Sequence, residues 1–98
     1  MRRIVYAASF VEDADAIVRY IEKRFGQSRA DIFIQDLDRF CRLVASQPRI
    51  GKHNHGYDTT LHGVVHGVNW IFFLHDADEV RFVHIFDARR HKYELHFG

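Results

Sequence analysis

Ninety-eight residues with 47 % apolar side chains support one small core, and a single cysteine excludes an internal disulfide or a cysteine-rich metal site. A net charge of +1, with acids and bases interspersed, argues against a dedicated nucleic-acid binder, because each neutralised phosphate contributes affinity through released counterions. The longest late apolar run, Trp70 to Leu74, is far too short to span a bilayer, and Glu12 and Asp13 cut "IVYAASFV" before it makes a secretory leader. A soluble, cytoplasmic chain forming one domain over residues 1–98 is expected.

The β-rich run Arg3 to Ala7 opens the chain. Ser9 stands three residues before Glu12, the spacing of a capping box, and Ala14, Ile17, Val18, Ile21 and Phe25 follow on a helical stripe that Gly26 closes. Ser28 and Asp31 repeat the spacing ahead of a second stripe, Ala30, Phe33, Ile34, Leu37, Phe40, Cys41 and Val44, which Pro48 stops. The link Gly26-Gln27 is so short that the two helices are antiparallel neighbours. After the irregular polar segment "RIGKHNHGYDTT" come three strand-like runs, Leu61 to Val65, Asn69 to His75 and Val80 to Asp87. Turns at His66-Gly67 and at Asp76 to Glu79 separate them. The order β-α-α-β-β-β reads as an α+β domain, an antiparallel sheet with the helical hairpin packed on one face.

Alternation in the last two strands leaves both faces of the sheet apolar. Trp70, Phe72 and Leu74 point one way and Ile71 and Phe73 the other, while Phe82 and Phe86 oppose Val83 and Ile85. One helical hairpin covers one face, so the second is expected to be covered by the chain's own loop and tail or by a partner.

Chemistry is sparse over most of the chain. Ser9 and Ser28 read as helix caps, Cys41 as a buried and inert thiol, and Glu12, Asp13, Asp15 and Glu22 as a solvated helix face. His53, His55, His62 and His66 lack a completing cysteine or acidic cluster, so no metal and no cofactor is expected, and His84 reads as a hydrogen-bonded sheet histidine. The densest constellation is Arg89, Arg90, His91, Lys92 and Tyr93 after the last strand, with Arg49, Lys52 and Arg81 as possible neighbours. Two chemistries fit it. In a metal-free ribonuclease, His91 or Tyr93 moves a proton at a ribose 2'-hydroxyl while Arg89 or Arg90 stabilises the phosphorane. In a docking edge, the arginines meet acidic groups and Tyr93, Leu95 and Phe97 act as apolar anchors.

The hairpin "ADAIVRYIEKRFGQSRADIFIQDLDRFCRLVASQPRIGK", the stretch "VVHGVNWIFFLHDADEVRFVHIFDARR" and the closing "ELHF" resemble toxins of the RelE/ParE superfamily, more closely its ParE branch. The resemblance spans nearly the whole chain, and the order and spacing of its parts are more specific than any one motif. It implies a small toxin of a bacterial type II toxin–antitoxin pair, of the plasmid-stabilisation kind, neutralised by a cognate antitoxin. ParE-like members poison DNA gyrase; RelE-like members cut mRNA on the ribosome. RelE-like nucleases tend to carry lysines and arginines on the central strands, and Asn69 to His75 contain none. The expected function is therefore gyrase inhibition without an enzyme activity of its own, with strong direct nucleic-acid binding not expected. Ribosome-dependent mRNA cleavage is the alternative and a plain interaction module the third reading. Under the leading reading, Arg81, Arg89, Arg90, Tyr93, Leu95, Phe97, Trp70 and Phe72 contact target or antitoxin.

Overall fold

The computed structural model describes residues 2–50, 52–54 and 58–89, and for residues 50, 52–54 and 58–60 the backbone alone. Strand β1 (Arg3–Tyr6) leads into helices α1 (Ala8–Phe25) and α2 (Gln27–Ser46), a short 3-10 turn (Pro48–Ile50), and strands β2 (Lys52–Asn54), β3 (Asp58–His66), β4 (Asn69–His75) and β5 (Glu79–Asp87). The sheet runs β1-β5-β4-β3-β2. The β2 to β5 part is antiparallel, as alternation and short turns require, but β1 lies parallel to β5 with Arg3 opposite Glu79 and Tyr6 opposite Phe82. The sheet is thus mixed rather than wholly antiparallel, because the helical hairpin carries the chain across one face before the meander begins. The segment read as irregular contributes β2 and the start of β3, whose pairing shifts between His53 and Asn54. That irregular register hides the strand period.

Neither serine caps a helix. Both helices start two residues earlier than the serine spacing implies, with Ala7 and Gly26 at the cap positions and no side-chain cap bond at either. Gly26 has φ 96° and ψ 169°, a region open essentially to glycine alone, and in that conformation it ends α1 and starts α2 at once. Its N–H donates to the Glu22 carbonyl and its own carbonyl accepts from Ala30.

The core lies between the hairpin and one face of the sheet. Phe10, Leu37, Cys41, Val44 and Ala45 come from the helices, and Ile71, Phe73, Val80, Phe82 and Ile85 from β4 and β5. Phe10, one turn ahead of the expected α1 stripe, belongs to it, and its ring packs on Tyr6 and Phe82. At the other end of the hairpin Phe25, Ile32 and Ile34 are exposed, although Phe25 and Ile34 sit on the expected stripes.

Cys41 is fully buried, and burial pushes its thiol up to about 12 from an ordinary 9.0; the Asp38 charge adds to the rise and a hydrogen bond with Tyr6 offsets part of it. Between those values the unfolded chain binds fewer protons than the folded one, so stability falls as pH rises. A thiol reagent at pH 8 is expected to leave Cys41 unmodified until denaturant is added. Urea midpoints are expected to be lower at pH 10 than at pH 8. Rapid labelling of the native protein contradicts this picture.

Candidate functional site

β1 stops at Tyr6, so the rest of β5 loses its neighbour and presents unpaired backbone groups along an edge. α1 takes over where β1 ends. The Ala7 N–H donates to the Phe82 carbonyl, the Ser9 hydroxyl donates to the Val83 carbonyl at 2.6 Å, and Asp13 accepts the Ile85 N–H at 3.2 Å. Ser9 and Asp13 are one helical turn apart, about 6 Å, and Val83 and Ile85 are two strand residues apart, about 7 Å, so one helix stripe matches the strand edge. Asp13 is therefore not part of a solvated face: its side chain is 24 % exposed.

The same carboxylate oxygen holds His84, whose Nδ1 lies 2.9 Å away. Here the β4–β5 register slips: Phe72 faces His84, but Phe73 faces Phe82, leaving Val83 as the extra residue of a β-bulge. The bulge overturns the expected alternation. Phe82 and Ile85 both enter the core, whereas Phe86 turns to the opposite face.

On that opposite face, Trp70 stacks near Phe72 with centroids 5.9 Å apart, Phe72 meets Phe86 at 6.1 Å, and Phe86 lies parallel to His84 at 5.2 Å. Gly63 of β3 permits the arrangement, since a Cβ there would stand 3.2 Å from the Phe72 ring and 3.4 Å from Trp70. Phe72 is 4 % exposed, so its role is to floor the strip, while Val65 and Val68 at the β3–β4 turn stay open to solvent.

Of the expected contact residues, Trp70 and Phe72 come together. Arg81 and Arg89 do not: Arg81 lies near the start of β5 and Arg89 two residues past its end, with roughly 20 Å of strand between Arg81 and Asp87. Arg81 is paired with Glu79, which also binds Arg3. Arg89 grips Asp87 through Nε at 3.2 Å and a terminal nitrogen at 3.0 Å, and this pairing raises its already high pKa. Arg90, His91, Tyr93, Leu95 and Phe97 lie outside the described residues. Asp13 and His84 were missed as a pair; the one signal for them was that Ser9 and Asp13 share a helix face.

The family model for the ParE toxin of type II toxin–antitoxin systems, parDE, matches residues 4–92. The chain belongs to the ParE toxin family. A solved structure from the chromosomal ParDE toxin–antitoxin system of P. aeruginosa shares the fold, with a TM-score of 0.71 over 87 % of this toxin and 94 % of that chain, at 15 % identity. No curated protein matches the sequence. Among the described residues of this ParE-family chain, no helix is long and apolar enough to cross a membrane, and no group of three or more His, Cys, Asp or Glu side chains is placed to hold a metal. The toxin's membership in a parDE family brings with it an antitoxin partner.

Proposed function

We propose that this toxin, one domain over residues 1–98, acts in the cytoplasm as a stoichiometric inhibitor of DNA gyrase and is neutralised by a cognate antitoxin, with Trp70 and Phe72, on the sheet face opposite the helices, contacting target or antitoxin. Family membership supplies the class. The observation that carries the finer reading is the composition of that face: β4 crosses the middle of the sheet with Trp70, Phe72 and Leu74 and without lysine or arginine, where RNA cleavage would need cations for the phosphate. Among the described residues the nearby arginines are tied to Glu79 and Asp87, which repel phosphate. Arg89, Arg90, Tyr93, Leu95 and Phe97 are assigned to target or antitoxin contact.

The test is plasmid supercoiling by purified gyrase with increasing toxin, alone and with antitoxin. Loss of supercoiling or trapped double-strand breaks near equimolar toxin, relieved by antitoxin, is the expected result. Untouched supercoiling together with ribosome-dependent cleavage of mRNA refutes the proposal.

A further inference from the structure

His62 of β3 and His75 of β4 come together on the side of the sheet that carries the core. His62 is paired in register with Phe73, and His75 lies two residues beyond Phe73 opposite Val80, so both rings stand on the face that buries Phe73 and Val80. Their ring centroids are 4.6 Å apart. Phe73 backs them both, its ring 5.5 Å from that of His62 and 6.1 Å from that of His75. Both histidines are partly buried, and although His62 has further contacts, its Nδ1 is a buried nitrogen that no hydrogen bond among the described residues satisfies. His66, four residues on, plays no part, since its Nε2 is 2.7 Å from Asp36 and its ring stacks on Phe40.

We propose that His62 and His75 form a two-imidazole site for a divalent transition-metal ion of the kind imidazole prefers, such as Zn²⁺ or Ni²⁺, with water in the remaining positions. The spacing carries this. With the ion about 2.1 Å from each nitrogen, and so about 3.2 Å from each ring centre, two imidazoles bound at right angles have centroids roughly 4.5 Å apart, and at the tetrahedral angle roughly 5.2 Å. The observed separation falls inside that range, so the strands already stand at the right distance. Mg²⁺ prefers oxygen ligands in an octahedron and does not fit. The pair exists only while β3 and β4 are joined, so the ion binds the folded chain and stabilises it.

The experiment is a set of melting curves of the purified toxin in EDTA, Mg²⁺, Zn²⁺ and Ni²⁺, with titration calorimetry for the last two, on wild type, His62→Gln and His75→Gln. Wild type is expected to melt roughly 10–20 °C higher when Zn²⁺ or Ni²⁺ is in hundredfold excess over its dissociation constant, and to ignore Mg²⁺. Each variant is expected to fold in EDTA and to bind at least about tenfold more weakly, the loss that even an outer-shell change brings. If a variant does not fold, imidazole nitrogen resonances of the wild-type protein replace it, and those of His62 and His75 are expected to shift on adding Zn²⁺. A wild-type toxin that binds neither ion overturns the inference. So does unchanged affinity in the folded variants, or shifts confined to other histidines, since either places the ion elsewhere. An equal response to Mg²⁺ overturns it too, because it reports general screening of charge rather than imidazole ligation.

Discussion

Phe82→Ala is expected to remove a large part of the protein's stability. Phe82 has no exposed surface, and its ring meets Tyr6 at 5.6 Å, Phe10 at 5.6 Å and Phe73 at 6.0 Å, so it joins β1, α1 and β4 through one side chain. Truncating a buried phenylalanine costs about 3–5 kcal/mol, and small domains hold only about 5–15 kcal/mol in all. Far-UV circular dichroism with a urea titration measures the loss. Val65→Ala, at a half-exposed site on β3, is the control and is expected to change stability by no more than about 0.5 kcal/mol. A Phe82→Ala protein with a near wild-type midpoint would mean that the aromatic cluster is not the centre of the core.

The second large effect belongs to Asp13→Ala. The substitution removes the acceptor for the Ile85 N–H and for His84 together, on the edge of β5 that β1 leaves unpaired beyond Tyr6. Leaving that backbone donor unsatisfied costs about 2 kcal/mol, which in a chain of this size lowers the melting temperature by roughly 8–16 °C. Asp13→Asn keeps a carbonyl acceptor and is expected to recover most of the loss. Melting curves of the two variants decide the matter: if Asp13→Ala melts with wild type, α1 does not hold the edge.

Much of the architecture was legible because it rests on local periodicity. The two helices follow from stripes such as Leu37, Cys41 and Val44, and the β4–β5 turn from the Asp76 cluster, where the Asp76 carboxylate accepts the N–H groups of Asp78 and Glu79. These hydrogen bonds hold the Asp76 carboxyl below its ordinary range. What stayed hidden depends on contacts between distant parts of the chain. The bulge at Val83 breaks the period of two within β5, so strict alternation placed Phe82 with Phe86 and Ile85 with Val83, each pair wrongly joined. The bulge is stabilised by Ser9 and Asp13, over seventy residues away, and no pattern inside "VRFVHIF" reports them. Asp13 looked like an ordinary acid of a first helical turn for the same reason. On the site, Trp70 and Phe72 were legible as an outward apolar pair from β4 alone, whereas His84 acquires its orientation only from α1.

The parallel pairing of β1 with β5 joins residues 76 positions apart, as the Arg3–Glu79 contact shows. During synthesis, β1 and the aromatic face of α1 therefore wait on the ribosome for a partner made last among the strands, and Tyr6 and Phe10 have no Phe82 to stack on until β5 has emerged. Closing so long a loop costs entropy that only the finished pairing repays, so the β1–β5 contact is expected to form late in folding, once β5 and its bulge are in place.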